Sequence, residues 1–328
     1  MLIDVVRPES WEELNDQVKS YLGLAPRVRA RVYNGLFQAV YEISQSTAQF
    51  MSHKKAIGVI LGQTSAFEGL LGYYYKETYE VHTRSHTQIT EVKEWVESLK
   101  KDTCFVLFSE DHPVTGELYP FADELDRLLN EKRIFSFRVS HAQHFYTPSE
   151  IRPYSVRLCS FEPHAAVALV GERFRSPSMM AHNMSWGGVD FVSILEKSKA
   201  GRMQNTLLME QIEKDLSVVA EPYFKAGQSR LSDRAVMVFK DVSAEALAQR
   251  IFQQLGMDLK EGWRQLATTN MCHWSVVKMF HHWWEPAPSL ETLRGMLIIG
   301  PDLLNTKDFA KIVISSYEDI KSQQSWTV

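Results

Sequence analysis

The chain has 328 residues, 45% of them hydrophobic and 11% aromatic, enough for two domains with substantial cores. A net charge of −4, with no basic run, gives no electrostatic footprint for nucleic acid or for a membrane surface, so the expected partners are protein or small molecule. Cys104, Cys159 and Cys272 stand far apart, without a CxxC metal knuckle or a disulfide frame. The opening MLIDVVRPESWEEL is acidic where a leader needs a basic flank, and the expected compartment is the cytoplasm.

In chain order, Ser10 before WEELNDQVKSYL predicts a capped helix over 9–20, and VYNGLFQAVYEISQSTAQFMS predicts a longer one. AIGVILGQTSAFEGLLGYYY reads as strand, loop and helix, with backbone N–H groups at Thr64 and Ser65 aimed at whatever anion lies above them. Helix ITEVKEWVESLKK, strand TCFVLFSE, turn DHPVTGELYP, helix FADELDRLLNEK and strand IFSFRVSH follow in a βαβ cadence, for which a parallel sheet is the natural outcome. Two further apolar runs, VRLCSF and AAVALV, flank a proline and a histidine. After about residue 205 the pattern changes to a long helix (TLLMEQIEKDLSVVAEPYF), strand RAVMVFK, capped helix SAEALAQRIFQQLG, an aromatic region and strand MLIIG. The predicted architecture is a large α/β domain over 1–205 and a small α+β domain over 206–328.

The order of these pieces over roughly residues 55–300 resembles the fold-type I pyridoxal-phosphate enzymes, and within them the class V aminotransferase and cysteine desulfurase branch. GQTSA at 62–66 resembles the phosphate-cup turn. DTCFVLFSEDHPVTGELYPFADEL resembles the strand, turn and helix that follow it, and IFSFRVSHAQHF the strand whose end reads DAAQ. VFKDVSAEALAQRIFQQLGMDL resembles the small-domain strand and helix. The resemblance implies an aminotransferase-like fold with a mainly parallel sheet, a homodimer, and a cofactor cleft in which Thr64, Ser65, His141 and Gln143 match the pattern while Thr115 and Gly116 keep the turn.

Pyridoxal chemistry needs an amine to hold the aldehyde and a carboxylate to keep the ring nitrogen protonated. The sequence has no lysine between Lys132 and Lys197, and the matching position is Ala165 or Cys159. Ser140 stands where the resemblance implies the aspartate, and no aspartate occurs between Asp126 and Asp190. Pro113 takes the place of the turn asparagine. The expectation is a pseudoenzyme that acts as a binding or structural partner, with no cofactor. One alternative is an enzyme holding pyridoxal or pyridoxamine phosphate non-covalently, with His164 as acid and base. Another is a protein that binds a small anion in the old cleft at Thr64 and Ser65.

Other clusters have simpler readings. His82 and His86, and Cys272, His273, His281 and His282, carry ligand chemistry, but Trp274, Trp283 and Trp284 interleave the second group as in a packing surface, so no metal is expected. MSWGGVDF suggests a close-approach turn, with Arg173 and Arg175 near it. Tyr73 to Tyr75 and Trp186 supply aromatic surface for a dimer.

Overall fold

Runs of β-branched and aromatic residues set the strands of the first half of the chain, and each is punctuated by a polar or glycine-containing turn. The computed structural model describes residues 11–33, 35–61, 79–85, 89–111, 116–141, 151–162, 165–174, 191–224, 228, 230, 234–258, 262, 266–268 and 289–324. The chain divides into two units, Met1–His112 with Tyr119–Lys199, and Pro113–Leu118 with Ala200–Val328.

The first unit is built on a seven-stranded sheet. Its strands are β1 (Arg29–Tyr33), β2 (Ala56–Leu61), β3 (Glu80–Ser85), β4 (Thr103–Ser109), β5 (Phe135–His141), β6 (Ser155–Glu162) and β7 (Ala165–Val170). The order across the sheet is β1-β7-β6-β5-β4-β2-β3. Every pair from β3 through β6 is parallel, whereas β7 runs antiparallel to both β6 and β1. All seven residues of β4 are buried, as expected of a parallel strand covered on both faces.

Helix α1 covers Trp11–Tyr21 and α2 covers Leu36–Phe50. Ala39, Val40 and Ile43 of α2 pack on one face of the sheet with Phe105, Phe137 and Leu158, and the rings of Phe105 and Phe137 stack with centroids 4.6 Å apart. Helices α3 (Ile89–Ser98) and α4 (Ala122–Glu131) cover the other face, where Trp95, Val96, Leu125 and Leu129 meet Val106 and Phe108. A Cβ at Gly58 would lie 2.8 Å from Val106 Cγ2 and 3.3 Å from the Trp95 ring, so a bare backbone there lets the indole close on the sheet.

The second unit has a four-stranded antiparallel sheet, β10-β11-β9-β8, formed by β8 (Glu221–Pro222), β9 (Ala235–Val238), β10 (Leu266–Thr268) and β11 (Met296–Ile299). Helix α5 (Phe191–Leu216) crosses the division between the units, and its second half packs with α6 (Ala244–Leu255) and α9 (Phe309–Gln324) around Phe239, Leu247, Phe252, Leu297 and Phe309. Between β10 and α9 lie the short α7 (Leu290–Gly295) and α8 (Pro301–Leu304). No described helix is long and apolar enough to cross a membrane.

Three elements differ from the sequence-based reading. RARVY is an edge strand, not a lead-in to the next helix, because Gly35 at φ 141 breaks the chain before α2 begins. The long helix ends at Leu216. Pro222, whose nitrogen cannot donate, then lies on the edge strand β8, where a missing donor is tolerated. Ser243 does occupy the N-cap position of α6, but its side chain makes no capping hydrogen bond.

Candidate active site

Alternation along β5 places Ser136, Arg138 and Ser140 on one face, and the parallel register sets Ser136 opposite Ser155, Arg138 opposite Arg157 and Ser140 opposite Cys159. Polar side chains thus line the buried face of two neighbouring strands. Isolated charges at such depth would be expelled or neutralised, so each must find a counter-charge.

Glu110, the residue after β4, supplies the central one. Its carboxylate is 4% exposed; Oε2 accepts from Arg157 Nη2 at 3.3 Å and Oε1 lies 3.1 Å from the same nitrogen as an ion pair, with the Arg157 side chain 5% exposed. It also forms an ion pair with Arg138, in which Arg138 Nε and Glu110 Oε1 touch without directed hydrogen-bond geometry. The Arg138 guanidinium reaches Asp123 of α4 as well. Arg157 Nε donates to Ser140 Oγ at 2.8 Å. A companion network lies one turn further along α4. Asp126 accepts from Arg152 Nη1 and from Ser155 Oγ, both at 2.5 Å, and from Ser136, while Asn130 donates to Ser155 Oγ at 2.9 Å.

These contacts fix protonation states. Burial pushes the Asp123 carboxyl up, but the Arg138 hydrogen bond and the charges of Arg138, Arg152 and Arg157 outweigh burial and hold it below its ordinary value. A depressed carboxyl contributes stability that is fully present above its unfolded value, about 3.9, and is lost as pH falls through the lower folded value. The melting temperature of the wild type should therefore lose ground against Asp123→Asn as pH is taken from about 5 to about 2. Parallel curves would show that the ion pair contributes nothing. Burial drives the Cys159 thiol in the opposite sense, well above its ordinary value despite Arg157 beside it. Cys159 is a fully buried neutral thiol, with none of the thiolate character a nucleophile needs.

Cys159 and Ala165, the two positions that the sequence resemblance aligns with a lysine, both fall in the β6–β7 ladder. Cys159 pairs with Val167, and Ala165 opens β7 opposite Glu162, which leaves Pro163 and His164 as the whole connection. Thr64, Ser65, Gln143 and His164 lie outside the described residues, as do Pro113 and Thr115. The backbone of His141 ends β5 in register with Ser160, and its side chain lies outside the description. Gly116 has φ 78, the left-handed conformation a turn glycine supplies. Of the histidine and cysteine clusters, His82 lies in β3, and His86, Cys272, His273, His281 and His282 lie outside the described residues, as do Tyr73 to Tyr75 and Trp186. Among the described residues no three His, Cys, Asp or Glu side chains gather as metal ligands.

Sequence reasoning passed over Glu110, Arg138, Arg157, Asp126 and Arg152. The available signal was an arginine flanked by apolar residues in the middle of each of two strands, FSFRVSH and SVRLCSFE, since a charge inside a buried strand implies a buried partner.

No protein-family model matches the chain, and no curated protein matches its sequence. Solved structures do match. A NifS-like protein superposes with a TM-score of 0.67 at 12% identity, covering 94% of this chain and 86% of that one. The apo cysteine desulfurase of Thermococcus onnurineus NA1 gives 0.67 at 9% identity, with 95% and 84% covered. Histidinol-phosphate aminotransferase from Clostridium acetobutylicum gives 0.62 at 10% identity, with 97% and 91% covered. At such identities the likeness is one of fold: the chain has the architecture of the fold-type I pyridoxal-phosphate enzymes.

Proposed function

We propose that this chain uses the aminotransferase-like scaffold without its electron-sink chemistry, as a binding or structural protein whose strand-end cleft holds a ligand non-covalently if it holds one at all. One observation carries the reading. At the end of β5 the side chain is a hydroxyl engaged by a buried guanidinium, Ser140 with Arg157, where the resemblance implies a carboxylate. A carboxylate there would stabilise a protonated pyridine; a hydroxyl tied to a cation does not. The absence of lysine from 133 to 196 removes the amine as well. Pyridoxal phosphate as a covalently held electron sink does not fit these residues, and no reaction step is assigned to it.

Borohydride reduction in the presence of pyridoxal phosphate, followed by peptide mass mapping, is the direct test. The expected result is no specific adduct. A stoichiometric adduct on any single lysine would overturn the proposal, because an amine from elsewhere in the chain would then be serving the site.

A further inference from the structure

We infer that α4 is an acid-released cover on the large sheet: its carboxylates Asp123 and Asp126 fasten it there, and acid detaches it as a unit while α3 and β4 keep their structure. The inference concerns the packing of the large unit and is independent of what the strand-end cleft holds.

The two helices on this face have different undersides. In α3 the buried residues are Val92, Trp95 and Val96, and the charged Lys93, Glu94 and Glu97 are exposed. In α4 they are Ala122, Leu125, Asp126 and Leu129, so a carboxylate stands inside the stripe that faces the sheet. Asp126 accepts from Arg152 Nη1 and Ser155 Oγ, both at 2.5 Å, and from Ser136. One turn earlier Asp123 pairs with Arg138 of β5. One turn later Asn130 donates to Ser155 Oγ and accepts from the Tyr154 N–H at 2.8 Å.

The charges around the two carboxylates decide what acid does. Burial raises the Asp123 carboxyl, but the Arg138 hydrogen bond and the charges of Arg138, Arg152 and Arg157 outweigh it, so this contribution is complete above about pH 3.9 and is lost as pH falls through the lower folded value. Once Asp123 and Asp126 take up protons, Arg152 loses the anion it pairs with, and Arg138 is left to share Glu110 with Arg157. A guanidinium cannot shed its charge, so relief comes only from water, which reaches Arg138 and Arg152 when the helix above them lifts. Protonating Asp123 and Glu124 also removes the negative charge that favours the first turn of a helix. The remaining charged groups of this helix and its end are Arg127, paired at the surface with Glu124 and Glu131, and Lys132, which donates to the Val96 carbonyl of α3 at 2.5 Å. The underside of α3 carries no comparable charge, so its packing does not depend on pH in this way.

Amide exchange of the full-length wild type, read by mass spectrometry at about pH 6 and about pH 2.5, tests this when each amide is compared with its own unprotected rate at the same pH. Peptides spanning 122–131 should lose protection at least about tenfold more than peptides spanning 92–98 and 103–109. A dye that binds exposed apolar surface should gain fluorescence over the same interval, as the residues beneath α4 are uncovered. Asp126→Asn, which keeps an acceptor for Ser136 and Ser155 but no charge for Arg152, should show the loss over 122–131 already at about pH 7, with 92–98 unchanged. Equal losses over all three segments would mean that acid unfolds the unit as a whole, and full protection of 122–131 at about pH 2.5 would mean that the carboxylates do not hold the helix; either overturns the inference. So would an Asp126→Asn protein whose α4 is as protected as in the wild type. The wild-type measurement decides the matter by itself where the variant does not fold.

Discussion

Glu110→Ala destabilises the large unit by about 3–5 kcal/mol in urea unfolding, the loss expected when a buried charge is left without its partner. The carboxylate pairs with both Arg138 and Arg157, whose side chains are 11% and 5% exposed. Removing it leaves two guanidinium groups from neighbouring, in-register strand positions facing each other without the anion between them. Desolvation decides the sign. A surface pair would lose at most about 1 kcal/mol because water replaces the partner, but here water has almost no access. The double variant Glu110→Leu with Arg157→Leu should recover a large part of the loss, since apolar side chains in place of a buried pair are often neutral or better. A loss below about 1 kcal/mol for Glu110→Ala would show that the network is solvated. A double variant no more stable than the single would show that charge pairing is not what holds these strands.

The sheet was legible because its physics is local. TCFVLFS and FSFRVSH are short apolar runs between turns, and a strand buried on both faces leaves that mark on any sequence. The first edge strand was not, because VYNGLFQAVYEI continues a helical spacing of apolar residues and only the backbone at Gly35 shows where it breaks. Helix α9 went unread although its Phe309 and Val313, four apart, are both fully covered in the small-unit core. The polar network is a different kind of case. Its members come from the end of β4, from α4, from β5 and from β6, at separations of 15 residues for Arg138 with Asp123, 26 for Arg152 with Asp126 and 47 for Arg157 with Glu110. Only the strand register brings them together. That position 140 carries a hydroxyl could be read from the sequence, whereas the cation standing behind it could not.

Gly295→Ala costs the small unit about 3 kcal/mol, at the upper end of what overpacking does to a well-fitted core. A Cβ on Gly295 would lie 1.9 Å from the carbonyl oxygen of Phe239 and 2.9 Å from its carbon, distances no rotamer can relieve because the obstruction is backbone. The same two residues are tied by a hydrogen bond, Phe239 N–H donating to the Gly295 carbonyl at 2.9 Å, so the methyl cannot be accommodated without breaking that bond. The strain is passed on through the ladder. Gly295 ends α7 immediately before β11, whose Met296 pairs with Val238, and Phe239 follows Val238 and is itself 1% exposed against Leu247, Phe252 and Phe309. Moving either chain therefore opens the β9–β11 pairing and the core beneath it together. Amide exchange should show the effect at Val236, Met237 and Val238, with the amides of β4 and β5 in the other unit unchanged. A change within about 0.5 kcal/mol, the range of an ordinary surface substitution, would mean that the backbone at Gly295 yields freely and that its approach to Phe239 contributes nothing to the stability of the sheet.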